Sequence, residues 1–358
     1  MTAQLKIDLS ALARNFDLLN TRVTGEVAGV VKADAYGLGM APVSQTLWDS
    51  GCTTYFVATA TEGLALRTLL PKATIYIFEG VQATSQKKLL DANLIPVIYN
   101  HHQLQLWKPY KQHPIALQIE TGMNRLGFAD STESDVFADF EVCLLVTHYA
   151  NADNPDDPYN QLQRDRFTRF RRSFRQVPCS LANSAASAAL DSSFHGDIVR
   201  PGIGLFGGSP GAFNHGFENV ATLEGQIVDI RQIAKGERIG YGSSYTCPRQ
   251  STIAAIGIGY ADGVRRALSN CGQVSLNGSR ANIVGRISMD VTQVNLEGIN
   301  PEIGNWVQFF GNDIYLREVS SLASTIDYEI LTGIGARVER LYSSKKDGYQ
   351  ETLNPSVG

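Results

Sequence analysis

Charge is scarce in this chain of 358 residues: Asp, Glu, Lys and Arg make up 18% of it, against about 25% in an average globular protein. With 43% of residues hydrophobic, disorder and a polyelectrolyte tail are excluded. The net charge is −4 and no run of five or six like charges occurs, so bulk binding to nucleic acid is not expected. The densest basic stretch, Arg164 to Arg175, interleaves its arginines with Phe167, Phe170 and Phe174 at helical spacing and reads as a solvated helix face. No stretch of about 18 apolar residues exists, and Met1 to Asp8 lacks a basic segment leading into an apolar one. Neither membrane spanning nor export has support, and a cytoplasmic location is expected. Cysteines are few, odd in number and widely spaced, at Cys52, Cys143, Cys179, Cys247 and Cys271, with no Cys-x-x-Cys. They read as reduced, mostly buried thiols. The histidines His101, His102, His113, His148, His195 and His215 show no His-x-x-x-His spacing, so no metal site is expected. Gly202-Ile203-Gly204 and Gly257-Ile258-Gly259 lack the strand, Gly-x-Gly-x-x-Gly, helix context of a dinucleotide site.

What is present is a rhythm. At about one domain per 150 residues, the length suggests two cores. From residue 26, eight short apolar runs alternate with longer amphipathic pieces: Glu26 to Ala33, Thr53 to Ala58, Ala73 to Phe78, Leu94 to Tyr99, Pro114 to Glu120, Val142 to His148, Val177 to Ala182 and Asp197 to Phe206. Their Val, Ile and Leu do not alternate with polar residues, as befits strands buried on both faces. Helix-like pieces such as Thr61 to Arg67, Ser85 to Leu90 and Tyr159 to Arg175 lie between them. Eight β-then-α units predict a TIM-like (β/α)8 barrel over residues 10–220, an open doubly wound sheet being the competing pattern. Beyond residue 220 the texture changes to Gly-punctuated strands, Leu223 to Ile230, Thr252 to Gly259, Gln273 to Leu276, Ile283 to Val294 and Trp306 to Phe310. This predicts a mainly β domain over residues 221–358, with residues 1–9 expected to pack with it. The boundary is read at Gly207 to Gly216.

Barrel enzymes build their sites at the C-terminal ends of the strands. Here those ends are unusually polar. The first run closes on Val31-Lys32-Ala33-Asp34-Ala35-Tyr36-Gly37, the fifth on Glu120-Thr121-Gly122-Met123-Asn124-Arg125, the sixth on Thr147-His148-Tyr149, the seventh on Asn183-Ser184 and the eighth on Arg200-Pro201-Gly202-Ile203. A lone strand-end lysine is most often a snorkelling or paired one. A half-buried lysine, however, has a lowered pKa, and a neutral amine is what imine formation with a carbonyl cofactor needs. Ser184 and the Gly202 and Ile203 amides could take a phosphate. Lysine, phosphate cradle and arginine together describe a pyridoxal 5'-phosphate site.

The same blocks, in order, resemble the bacterial alanine racemases: Val30 to Gly37, Glu120 to Gly127, Thr147 to Ala150, Ala182 to Ala186 and Arg200 to Ile203, then Gly240-Tyr241-Gly242, Gly259 to Gly263 and Ser288-Met289-Asp290. The resemblance runs from near the N-terminus to about residue 342. It implies a homodimer whose shared active sites combine the barrel of one subunit with the β domain of the other, acting on alanine through a pyridoxal phosphate imine. Lys32 and Tyr241 are the implied catalytic pair. Tyr36, His148, Asn183, Ser184, Arg200, Gly202 and Ile203 are implied to hold the cofactor together with Lys32, and Arg125, Met289 and Tyr260 to meet the substrate. Racemisation needs two groups, because one removes the Cα proton from one face and the other returns it to the opposite face. A free phenol titrates near pKa 10, so a tyrosine base needs positive charge or a hydrogen bond nearby.

Three departures from the family pattern bear on the site. Gln118 stands where many relatives have a lysine that becomes carbamylated, Ser180 where a histidine often backs the pyridine-facing arginine, and Ala336 where some relatives carry a phosphate-binding tyrosine. Asp34 and Leu38 replace the commonest signature residues without removing a catalytic group. A serine or broader-specificity racemase and a non-enzymatic pyridoxal phosphate carrier are the alternative readings, the carrier disfavoured because it would lack the segment bearing Tyr241.

Overall fold

A strand buried on both faces needs no alternation, and the apolar runs form such strands. The computed structural model describes residues 2–211, 215–346 and 349–353; residues 212–214 of the expected boundary segment lie outside it. The chain opens with β1 (Ala3–Asp8) and α1 (Leu9–Arg22), then repeats strand and helix. The strands are β2 (Glu26–Val27) and β3 (Gly29–Val30), separated by one residue, then β4 (Thr54–Val57), β5 (Thr74–Ile77), β6 (Ile95–Ile98), β7 (Ile115–Glu120), β8 (Val142–Val146), β9 (Cys179–Ser180) and β10 (Ile198–Val199). Neighbours from β3 to β9 pair in parallel. Parallel pairing of β10 with β2, and a bridge between Asn183 and Arg200, close the ring into the (β/α)8 barrel.

The intervening helices are α2 (Met40–Asp49), α3 (Ala60–Leu69), α4 (Gln86–Asp91), α5 (His101–Trp107), α6 (Pro158–Arg171) and α7 (Ser184–Ala189). Several starts are written in the sequence as caps. Thr59 and Glu62 form a capping box on α3, Asn100 caps α5, Asp157 precedes Pro158 at the start of α6, and Asn183 caps α7. Along α6, Phe167 and Phe170 are buried while Arg164, Arg166 and Arg169 stay partly or fully exposed, the amphipathic face expected of that basic stretch.

The second group of strands pairs mainly antiparallel: β11 (Ala221–Ile233), β12 (Ser251–Ile256), β13 (Gln273–Leu276), β14 (Ser279–Ile283), β15 (Thr292–Asn295), β16 (Trp306–Phe310) and β17 (Glu339–Lys346). In the order β11, β16, β13, β14, β15, β12 and back to β11, six of them close on themselves. β1 adds outside that ring, antiparallel to β11 and parallel to β17, with buried Leu5 opposite buried Leu223. Backbone contacts divide the chain into two units, one of Met1–Ala11, Phe206–Gly208 and Glu218–Gly358, the other of Leu12–Leu205 and Ser209–Phe217.

Four apolar runs are shorter or more broken as strands than their composition suggests. The first ends at Val30, so that Lys32 lies beyond the strand and Ala33 opens the turn that follows. The seventh keeps only Cys179–Ser180 and the eighth only Ile198–Val199. After Val199 the chain meets Pro201, which has no N–H for a ladder, and the Gly202 and Gly204 amides turn to a serine side chain instead. Ile283 to Val294 is two paired segments of strand, with Gly285 at φ 76° in the intervening loop. Among the thiols, Cys52, Cys179 and Cys247 are buried, Cys143 is half-buried and Cys271 is exposed; all are unpaired by disulfide. Among the described residues no helix is long and apolar enough to cross a membrane, and no three His, Cys, Asp or Glu side chains form a metal-binding group.

Candidate active site

Directly after β3 the backbone winds the wrong way for an L-chain. Ala33, Asp34, Ala35 and Tyr36 have φ of 54°, 54°, 52° and 60°, a left-handed turn of four non-glycine residues. Crowding of Cβ against the following carbonyl costs about 1–2 kcal/mol per residue in this conformation, so the turn has to be held from outside. The Gly37 N–H donates to Ala33 O at 2.8 Å and that of Gly39 to Asp34 O at 2.9 Å. Met40 N–H donates to Asp34 Oδ1 and Ala33 N–H to Glu62 Oε1, each at 2.7 Å. Lys32 is the residue just before this turn.

The lysine is half-buried, and its pKa is lowered first by burial and then by the nearby Arg125 charge, with Glu62 opposing and Arg200 adding to the depression. Its Nζ lies 5.6 Å from the centroid of the Phe78 ring. Phe78 stacks on Phe56 at 5.2 Å, and the Arg200 guanidinium carbon sits 5.8 Å from the Phe56 centroid, so lysine and arginine approach one aromatic stack. Arg200 is 4% exposed and has no carboxylate partner among the described residues. It donates instead to Ser180 Oγ, and to Thr147 O at 2.6 Å. Burial pushes its pKa down to about 9, which still leaves it charged at neutral pH. His148 Nδ1 lies 3.5 Å from Arg200 Nη2. Desolvation and the charges of Arg200, Arg125 and Lys32 push the imidazole down to about 3, so it is neutral; with the arginine donating to Nδ1, its hydrogen resides on Nε2.

Ser184 Oγ accepts from the Gly202 amide at 2.8 Å and the Gly204 amide at 3.2 Å, gathering the seventh and eighth strand ends. A Cβ on Gly202 would meet the Tyr36 hydroxyl at 2.1 Å, so any larger residue there forces the tyrosine ring to move. Ile203 is fully buried beside it. Asn183 spends its side chain on the α7 cap, accepting from Ala186 N–H at 3.0 Å. Thus Lys32, Tyr36, His148, Ser184, Arg200, Gly202 and Ile203 are gathered at the C-terminal end of one barrel. Arg125 stands exposed on the loop after β7, its N–H 3.2 Å from Glu120 Oε2, with Gln118 on the strand below.

The remaining expected residues belong to the antiparallel unit and are presented outward. Tyr241 is 70% exposed, between Gly240 at φ 74° and Gly242 at φ 69°. Met289 is 52% and Tyr260 43% exposed, on two loops that zip together: Tyr260 N–H donates to Ser288 O and Ala261 N–H to Met289 O, each at 3.0 Å. Arg337 ties these loops, donating from Nε to Asp262 Oδ1 and from Nη2 to Asp290 Oδ1, each at 2.6 Å. Ala336 is exposed beside it.

Sequence reasoning missed Glu62, Phe56, Phe78, Gln163 and Arg337. Fully buried Gln163 donates to His148 O at 3.0 Å and to Thr121 Oγ1 at 3.2 Å, and accepts from Ala150 N–H at 2.8 Å, joining the fifth and sixth strand ends. For Glu62 a signal existed, since Thr-x-x-Glu spells a capping box. For the others only the fold brings the partners together.

Comparison with known proteins bears on the family and the fold. The family model "Alanine racemase, N-terminal domain" matches residues 7–210 and "Alanine racemase, C-terminal domain" residues 220–342. The chain is 36% identical to a biosynthetic alanine racemase of Agrobacterium fabrum, over 95% of this chain and 93% of that one. It is 37% identical to an alanine racemase of Rhodospirillum rubrum over 97% of both. The crystal structure of alanine racemase from Bartonella henselae with covalently bound pyridoxal phosphate superposes with a TM-score of 0.89 at 34% identity, covering 96% of this chain and 99% of that one. By sequence in both halves and by fold over nearly its whole length, the chain belongs to the alanine racemase family.

Proposed function

We propose that this protein is an alanine racemase, interconverting L- and D-alanine on pyridoxal 5'-phosphate and supplying D-alanine for peptidoglycan. One observation carries the reading: an amine of lowered pKa and a buried arginine without a carboxylate partner approach one aromatic stack at the end of a barrel. The residues fit the cofactor. Lys32, Arg125 and Arg200 are close enough to depress the His148 pKa together, an excess of positive charge suited to a phosphate and a carboxylate. Ser184 and the Gly202 and Ile203 amides would hold the phosphate with Tyr36, and Arg200 would face the pyridine nitrogen.

Pyridoxal phosphate, when bound, supplies an aldehyde that an amine can attack and a conjugated system that acidifies the substrate's Cα–H. Everything else falls to the chain. Lys32 gives up its proton more readily than a free lysine because burial, then Arg125 and Arg200, disfavour its charged form, and the same nitrogen exchanges a proton with Cα from one face. Arg200 keeps its own proton and so would leave a pyridine nitrogen beside it largely unprotonated, which would limit charge delocalisation and favour return of the proton to Cα over transamination. His148, neutral with its hydrogen on Nε2, is a donor for the phenol oxygen of Tyr241. Tyr241, from the partner protomer, handles the proton on the opposite face. Arg125 takes the substrate carboxylate, Met289 and Tyr260 shape the approach, and Gln118 supports Arg125 without adding a negative charge. Asn183 acts by fixing the start of α7. We take the enzyme to work in the cytoplasm as a homodimer with shared sites and no nucleic-acid or membrane partner.

The relatives named above are alanine racemases and lend nothing to the serine-racemase or carrier readings. The test is a panel of single amino-acid enantiomers incubated with purified protein, with and without added cofactor, and resolved by chiral chromatography. Alanine is expected to turn over fastest and to stop at equal amounts of the two forms. Faster turnover of serine or lysine overturns the substrate, and no turnover of any enantiomer overturns the enzyme.

A further inference from the structure

We infer that Glu62 is a positioning residue for Lys32, its carboxylate clasping the left-handed turn against the neighbouring strand end. The two oxygens divide the work: Oε1 accepts from Ala33 N–H at 2.7 Å, while Oε2 accepts from Ala58 N–H at 2.7 Å and Thr59 N–H at 3.1 Å. One side chain on α3 therefore fixes the peptide that follows the lysine to the backbone just beyond β4. Ala33 is exposed, so without the clasp its N–H would turn to water and the strained turn would lose its link to α3. The start of α3 is capped separately, Thr59 Oγ1 accepting from the Glu62 backbone N–H at 3.2 Å. It is also the one acid among the groups acting electrostatically on the lysine, raising its pKa where Arg125 and Arg200 lower it. The carboxylate thus does for the amine what a cap does for a helix, and does both at once.

This inference rests on Lys32 being the residue that joins the cofactor, so the experiment separates the two. Holoenzymes of wild type, Lys32→Ala, Glu62→Ala, Glu62→Gln and Thr59→Ala are reduced with borohydride and mapped by mass spectrometry, and the rate at which cofactor-stripped protein regains the bound-cofactor absorbance is measured. Label on Lys32 in wild type, and none in Lys32→Ala, upholds the underlying reading; label on another residue sinks that reading alone. In Glu62→Ala the rate of cofactor attachment is expected to fall about tenfold and kcat about a hundredfold, with the KM for alanine within about twofold of wild type. Glu62→Gln, which keeps one acceptor but cannot accept from both sides, is expected to fall between Glu62→Ala and wild type. Thr59→Ala loses the helix cap but keeps the clasp, and its attachment rate is expected to match wild type. The inference is overturned if both Glu62 variants attach cofactor at the wild-type rate, or if Thr59→Ala slows attachment as much as Glu62→Ala, because capping of α3 alone would then account for the effect. Should Glu62→Ala not fold, Glu62→Gln set against Thr59→Ala decides the question by the same two criteria.

Discussion

The two units treat their functional side chains in opposite ways. In the barrel, Tyr36, Ser184, Arg200 and Ile203 are buried, and the side chains of Ser184 and Arg200 bond to neighbouring strand ends. In the antiparallel unit, Tyr241, Met289 and Tyr260 stand out from glycine-shaped turns and zipped loops with much of their surface in solvent. The barrel residues are therefore set by the packing that holds the fold, and changing them disturbs both structure and chemistry. The residues of the other unit are presented by their backbone, and changing them leaves the fold alone. Large apolar side chains left this exposed are what a second protomer, in our proposal, would cover.

The sharpest way to break this contrast is to disable one residue of each kind. Lys32→Ala and Tyr241→Phe are each expected to lower racemisation by about 10²–10⁴, as removal of an acid/base group does. If sites are shared between protomers, mixing the two inactive proteins after dissociation restores about a quarter of wild-type activity, since half the dimers form as hybrids with one intact site of two. No recovery on mixing would count against shared sites. A second, smaller effect concerns stability. Gly202→Ala places a Cβ against the Tyr36 hydroxyl and is expected to cost about 1–3 kcal/mol in urea unfolding, whereas Tyr241→Phe should stay within about 0.5 kcal/mol. Equal losses would erase the distinction between packed and presented residues. The smallest effect is the dependence of stability on pH. His148 titrates near 3 when folded and 6.5 when free, so between those values the unfolded chain binds more protons. Its contribution is complete above pH 6.5 and lost as pH falls toward 3, about 1 kcal/mol of it between pH 6.5 and 5.5. Urea midpoints of wild type and His148→Asn over that range should show the difference shrinking by that amount; parallel curves would place the imidazole in solvent.

The eight apolar runs pointed to the barrel, with an open sheet as competitor, and their polar ends pointed to its mouth, because burial on both faces leaves a compositional mark and each mark stops at a strand end; the role of each residue there came from the family resemblance. Lengths were less legible. Val177 to Ala182 and Asp197 to Phe206 look like full strands, yet Pro201 cannot join a ladder and the Gly202 and Gly204 amides are taken by Ser184. Ile283 to Val294 looks continuous until Gly285 is seen at positive φ. The support of the site was hardest to read. Glu62 reaches Ala33 across 29 positions and Gln163 reaches Thr121 across 42, and no local pattern encodes which strand ends become neighbours.

The reversed winding of residues 33–36 also restricts what those positions can become. Its coiling sense is the one a mirror-image chain would adopt by preference, and an L-residue branched at Cβ fits it worst. A valine or isoleucine at position 33 or 35 would strain the turn that follows Lys32. The vocabulary of this stretch is thus confined by handedness, and small or locally bonding residues such as its two alanines and aspartate are the ones it admits.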